Sequence, residues 1–184
     1  MPLSIATWNI NSVRLRSGLV LRFLEEERPD VLCLQETKCP VEKFPGERFA
    51  EMGYRHLVCR GQKGYHGVAI LARVPLQDLG PEGDAGLCRN GHPRHAAARL
   101  PDGTVLHNLY VPAGGDEPDP AKNAKFAHKL DGLGRMAAWS AGLTGPQVLV
   151  GDLNVAPLEH DVWSHRQMLR VVSHTPAETE ALAR

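Results

Sequence analysis

The 184-residue chain contains no apolar run approaching the ~20 residues of a membrane-spanning helix, so no contact with a membrane is expected. Its opening, Met1-Pro2-Leu3-Ser4-Ile5-Ala6, lacks a basic stretch followed by an apolar one, and no secretory signal is expected there. None of the four cysteines, Cys33, Cys39, Cys59 and Cys88, forms a Cys-x-x-Cys pair, and a reduced, cytoplasmic protein fits best. Charge of one sign is not in excess either, with 21 Lys plus Arg against 21 Asp plus Glu. The chain therefore lacks the basic surplus common in nucleic-acid binders, although a local patch, or a metal set among carboxylates, can still meet phosphate. There is no internal repeat, low-complexity tract or clear linker. What remains is ordinary for one globular domain with a real core: 42% apolar and 23% charged residues.

Hydrophobic periodicity supplies the elements. Ser4 to Trp8 reads as a strand, and Asn11 or Ser12 is placed to cap a helix with Leu15, Leu19, Phe23, Val20 and Leu24 at helical spacing. Pro29 ends that helix, and Val31 to Gln35 is a continuous apolar strand, with Cys33 a buried thiol. This order suggests a parallel pair under a helix. Arg55 to Cys59 and Val68 to Arg73 are further strands, and Pro75 to Pro93 is a loop. Arg94 to Leu100 and Thr104 to Val111 form a hairpin about Pro101-Asp102-Gly103. Pro120 to Leu143 reads as a long helix packing through Phe126, Leu130, Leu133 and Ala137, with Lys122, Lys125 and Lys129 on a solvated face. Gln147 to Val150 is a last short strand, and Thr175, Pro176 and Glu178 open a final helix. His92-x-x-His95 and His160-x4-His165 lack the His-Glu-x-x-His frame of a helical zinc site and read as surface histidines.

Four segments place polar groups just beyond an apolar strand: Thr7-Trp8-Asn9-Ile10-Asn11, Leu34-Gln35-Glu36-Thr37-Lys38, Asn108-Leu109-Tyr110-Val111-Pro112 and Gly151-Asp152-Leu153-Asn154. Strand ends are rigid and accessible, which suits a site. Taken singly, each has a plain alternative. Asn9 reads as a turn residue, Glu36 as a partner of Lys38, and Tyr110 as a core tyrosine. Asp152 and Asn154 face one side only if their segment stays extended.

In combination, in this order and at these separations, the segments resemble the exonuclease III family of apurinic/apyrimidinic endonucleases, within the endonuclease/exonuclease/phosphatase superfamily. Gly61-Gln62-Lys63-Gly64-Tyr65-His66-Gly67-Val68-Ala69-Ile70-Leu71 and Pro157-Leu158-Glu159-His160-Asp161-Val162-Trp163 belong to the same resemblance, which runs from Ile5 to about Leu182. It implies a DNase I-like α/β sandwich of two mixed sheets with outer helices, here incomplete at the C-terminus. It also implies a nuclease acting on duplex DNA with abasic sites or 3′ ends, dependent on Mg2+ with Mn2+ as a substitute. The complete protein is expected to be a monomer.

The resemblance assigns Glu36 and Asn9 to the metal and Tyr110 to the scissile phosphate or leaving group. Asp152 would orient or deprotonate the attacking water, or protonate the leaving oxygen, and Asn154 would hold Asp152 and contact phosphate. Gly64, Tyr65 and Gly67 fall in a loop expected near the DNA backbone. Two departures from the family pattern stand out. The family continues past residue 184 to an Asp and a terminal Asp-His pair, so the chain is expected to be truncated and inactive, and the rival expectation is a dead fragment or weak DNA-binding module. Ala113 also stands where many relatives carry an amide, so one phosphate contact is absent or supplied elsewhere.

Overall fold

A computed structural model describes residues 3–80 and 86–183. The strands are β1 (Ile5–Asn9), β2 (Val31–Gln35), β3 (His56–Arg60), β4 (Val68–Ala72), β5 (Gln77–Asp78), β6 (His95–Arg99), β7 (Val105–Tyr110) and β8 (Gln147–Asp152). The helices are α1 (Val13–Glu26), α2 (Gly46–Glu51), α3 (Ala124–Ser140), α4 (His165–Met168) and α5 (Pro176–Leu182). The chain divides into two compact units, one of Met1–Asp84, Asn90–Tyr110 and Thr144–Asp152, the other of Ala85–Arg89, Val111–Leu143 and Leu153–Arg184.

The first unit holds both sheets, ordered β1-β2-β4-β3 and β5-β6-β7-β8. Each is mixed: β1 runs parallel to β2 and β7 to β8, while the other pairs are antiparallel. The expected two-sheet sandwich is therefore present. Alternation along β2 explains why its whole run is apolar. Val31 and Cys33 join Ile70, Ala96, Ala98 and Leu106 between the sheets, whereas Leu32 and Leu34 join Val13, Val20 and Leu24 beneath α1. All four cysteines are free, and burial pushes the Cys33 thiol well above its ordinary range.

Helix α1 differs from its expected form in two respects. Its buried side is Val13, Ser17, Val20 and Leu24, while Leu15 and Leu19 are exposed. Two apolar stripes overlap in this segment. The one in phase with Val13 packs on Leu32 and Leu34, and the helical geometry breaks at Arg16. Nor does a side chain cap the helix. Asn11 and Ser12 both adopt left-handed backbone, and the first helical N–H groups instead reach carbonyls across the chain, Ser12 N to Glu36 O at 2.7 Å and Val13 N to Thr37 O at 3.2 Å.

In the second unit α3 is shorter than Pro120 to Leu143 and is capped by Asn123, whose side chain accepts from Lys125 N. Its buried residues are Phe126, Lys129, Gly132, Leu133 and Met136. Lys129 is thus no part of a solvated face. Helix α5 opens as expected, on a capping box of Thr175 and Glu178 with Pro176 in the first turn. Part of the expected Pro75-to-Pro93 loop, residues 81–85, lies outside the described residues, and β5 interrupts the remainder.

Candidate active site

Four strands end together in register. Asn9 pairs with Gln35 at the end of β1 and β2, and Tyr110 pairs with Asp152 at the end of β7 and β8. A buried polar link joins the two sheets just below. Gln35 Nε2 donates to Asn108 Oδ1 at 2.7 Å and Thr7 Oγ1 at 3.0 Å, and Asn108 Nδ2 donates to the carbonyls of Leu34 and Ala69. Buried amides that need particular partners at particular positions fix the offset of the sheets in a way that apolar packing does not. Gly151 is required at this level, because a Cβ there would overlap the carbonyl of Leu109.

Above this link lies one network of side chains. Asn9 Nδ2 donates to Glu36 Oε1 at 2.9 Å and to Asp152 Oδ2 at 2.7 Å, so one amide bridges carboxylates carried by different sheets. The Tyr110 hydroxyl donates to Glu36 Oε1 at 2.9 Å. Lys38 Nζ lies 2.7 Å from Glu36 Oε2 and donates to Asn11 Oδ1 at 2.6 Å. Asn11 N in turn donates to Asn9 Oδ1 at 3.1 Å. Glu36 itself sits at φ 52°, an uncommon conformation for a side-chain-bearing residue, held by the α1 N-terminus on its carbonyl.

The electrostatics follow from these contacts. Partial burial pushes the Glu36 carboxyl up, but hydrogen bonds from Asn9, Lys38 and Tyr110 and the charge of Lys38 outweigh it and leave the group below its ordinary range. Burial, then the bond to Glu36 and its negative charge, push the Tyr110 phenol up to about 12. The Arg94 guanidinium stacks 4.7 Å from the Tyr110 ring centroid and donates to the Tyr110 carbonyl, fixing the ring from behind.

The loop carrying Gly64, Tyr65 and Gly67 is strapped to the Glu36 segment. Thr37 N donates to Gly67 O at 3.1 Å, Lys38 N to His66 O at 2.9 Å, and Gly67 N to Pro93 O at 3.0 Å. Gly67 has a packing role, since a Cβ there would overlap the Thr37 hydroxyl, whereas Gly64 faces open space at φ 82°. Tyr65 projects outward and is 69% exposed. His66 stacks on His92 at 4.4 Å and lies 6.2 Å from the Tyr110 ring.

Asn154 belongs to the second unit, and its geometry differs from the extended form that would align it with Asp152. Strand β8 ends at Asp152, and Asn154 turns to φ 51°, with its side chain donating to Val111 O at 2.9 Å. One of the histidines read as surface residues, His95, needs correction. His95 is buried and shares a 3.0 Å contact with His107, which contacts Gln147 Oε1 at 2.9 Å. Among the described residues no three His, Cys, Asp or Glu side chains converge as a metal cage. Lys38 was expected only as a plain ion-pair partner for Glu36. Asn11, Gln35, His66, His92 and Asn108 lie in segments the sequence marks, but their contacts, like those of Arg94, arise only when the sheets and loops are assembled.

The sequence pattern of the Endonuclease/Exonuclease/phosphatase family matches residues 6–172. The chain belongs to that family. It is 30% identical to the DNA repair nuclease APEX1 of Danio rerio, over 97% of this chain and 57% of that protein. It is 30% identical to exodeoxyribonuclease III of Haemophilus influenzae, over 85% of this chain and 59% of that protein. Among solved structures, an AP endonuclease from Archaeoglobus fulgidus superposes with TM-score 0.85 at 32% identity, over 99% of this chain and 69% of the other. The 3′ phosphatase NExo from Neisseria, bound to product DNA hairpin, superposes with TM-score 0.80 at 28% identity, over 99% of this chain and 69% of the other. The chain thus spans less than two thirds of the length of these curated relatives.

Proposed function

We propose that this chain carries the catalytic core of a DNA-repair nuclease of the exonuclease III type. Its reactions are hydrolysis of duplex DNA 5′ to an abasic site, removal of 3′ phosphodiester blocks, and 3′-to-5′ exonuclease action. The observation that carries this reading is the single network of Asn9, Glu36, Tyr110 and Asp152 at the ends of four strands. Similarity to exodeoxyribonuclease III and to an AP endonuclease supports the reaction class, and the DNA-bound relative supports DNA as partner.

The donor set fits magnesium, with manganese as a substitute. Both carboxylates and the flanking amides offer hard oxygens, and Glu36 Oε2 already faces a cation, Lys38 Nζ, at 2.7 Å. Glu36 would hold the ion with Asn9 beside it, and the ion would neutralise charge on the phosphate oxygens. Tyr110, kept protonated by its neighbours, is a donor for the scissile phosphate or leaving oxygen. Asp152, oriented by Asn9, handles the proton of the attacking water or of the leaving group. Asn154 is assigned to phosphate, and Gly64, Tyr65 and Gly67 to the DNA backbone. The free cysteines suit a reducing cytoplasm, and no described helix is long and apolar enough to cross a membrane.

Residues 1–184 alone are proposed to incise very slowly, because the family's Asp and Asp-His pair are not among them. Losing one electrostatic donor costs about 10²–10³-fold in rate. The test is incision of an abasic-site duplex by the chain extended with the carboxy-terminal segment of a relative. Magnesium-dependent incision that Glu36→Gln and Asp152→Asn each abolish supports the reading. Incision unaffected by either substitution rejects it.

A further inference from the structure

Lys129 is completely buried, as is its partner Glu178, with Nζ 2.5 Å from Glu178 Oε1. A lysine is rarely enclosed in this way unless its ammonium is paired and hydrogen-bonded, because desolvating a charge is costly. Its remaining contacts show what it holds. Nζ donates to Asn154 O at 2.6 Å, to Ala113 O at 3.2 Å and to Ser173 Oγ at 3.3 Å. Glu178 accepts from Ser173 N through both oxygens and from the Thr175 hydroxyl at 2.7 Å. Gly114 is shaped to this arrangement, since a Cβ there would press on the Lys129 side chain and Val172. The chain leaving Tyr110 and the chain leaving Asp152 are thereby tied to α3 and α5, and Asn154 Nδ2 stitches them together through Val111 O.

We propose that Lys129, neutralised by Glu178, is a positioning residue that sets the backbone turn and side-chain direction of Asn154. The inference rests on the nuclease reading only for what Asn154 does with phosphate; the positioning itself is a property of this chain. Three features favour positioning over simple core filling. Nζ donates to the Asn154 carbonyl at 2.6 Å, that residue has a left-handed φ of 51° that needs holding, and an apolar residue of similar length would fill the space without holding it.

Two nuclear magnetic resonance measurements on the whole chain test this. In the unsubstituted protein, the Lys129 ammonium protons are expected to exchange with water at least tenfold more slowly than those of exposed Lys122 and Lys125; equal rates overturn the proposal. In Lys129→Met/Glu178→Gln, which removes both charges and keeps an acceptor for the α5 cap, the Asn154 side-chain amide is expected to shift and lose at least tenfold in exchange protection. The Asn9 amide stays unchanged, and Lys129→Arg restores much of the Asn154 signal. An Asn154 amide that keeps its shift and protection in a folded double variant overturns the proposal. If the double variant does not fold, the ammonium exchange rates decide it. The nuclease reading is judged separately, by metal-dependent effects at Glu36.

Discussion

One lysine–glutamate pair from each unit, Lys129–Glu178 and Lys38–Glu36, makes an instructive comparison, because the two are built to opposite ends. Lys129 and Glu178 are both fully buried, and their polar atoms are taken up by neighbouring backbone and hydroxyl groups. Lys38 and Glu36 are part-exposed, at 30% and 19%, and share their contacts with Asn9, Asn11 and Tyr110. A buried pair fixes structure, because any exchange of partner must first be desolvated. A pair at the rim of a site can trade its lysine for an incoming cation at little cost, because water screens the intermediate arrangements. The difference separates a pair that holds geometry from a pair left free to exchange, as the proposed chemistry requires.

The sharpest contrast comes from cutting one partner in each pair. Lys129→Met strands the Glu178 carboxylate in the core and is expected to cost about 3–5 kcal/mol in urea unfolding. Lys38→Met leaves Glu36 open to solvent and is expected to cost less than about 1 kcal/mol. Equal losses would erase the distinction. Between these lies Asn108→Leu, which leaves Gln35 Nε2 and two carbonyls short of a partner and is expected to cost about 1–3 kcal/mol. A value near zero would mean that the sheets do not depend on that link for their alignment.

The smallest effects are in pH. The folded Glu36 carboxyl lies below its ordinary 4.5, so its contribution to stability is fully present above that value. That contribution is lost as pH falls through the folded value, and in Glu36→Gln the acid limb of the stability curve should flatten. Tyr110 has the opposite sign. Its phenol is raised from 10.0 to about 12, so the stability it adds is present below pH 10 and lost between the two values. Ultraviolet titration should show late ionisation from two phenols, Tyr110 and the burial-raised Tyr54, and Tyr110→Phe should remove only the Tyr110 share; a late phase unchanged by Tyr110→Phe would contradict the raised Tyr110 phenol.

Much of this architecture was legible in the residues. The strands, the hairpin about Pro101-Asp102-Gly103 and the α5 cap follow from local patterns that burial did not override. Asn9, Glu36, Tyr110 and Asp152 stood out because each directly follows or ends an apolar strand, but only the family resemblance grouped them as a site. Local pattern misled where two readings were equally periodic. In α1, Leu15 and Leu19 lie at the same spacing as the true core stripe, and only packing on β2 chooses between them. Lys129 was misplaced because a lysine beside Phe126 and Leu133 reads as solvent-facing until Glu178, 49 residues later in sequence, comes to meet it. The bend at Asn154 was hidden because Gly-Asp-Leu-Asn fits an extended strand as well as a turn.

In the proposed site the metal is centred on Glu36. The direct measurement is titration of the full chain with Mn2+, followed by paramagnetic broadening of assigned amide and side-chain signals. Broadening that begins at Glu36, Asn9 and Asp152, is competed by Mg2+ and disappears in Glu36→Gln is the expected result. Broadening confined to histidines, or unchanged by Glu36→Gln, would contradict it.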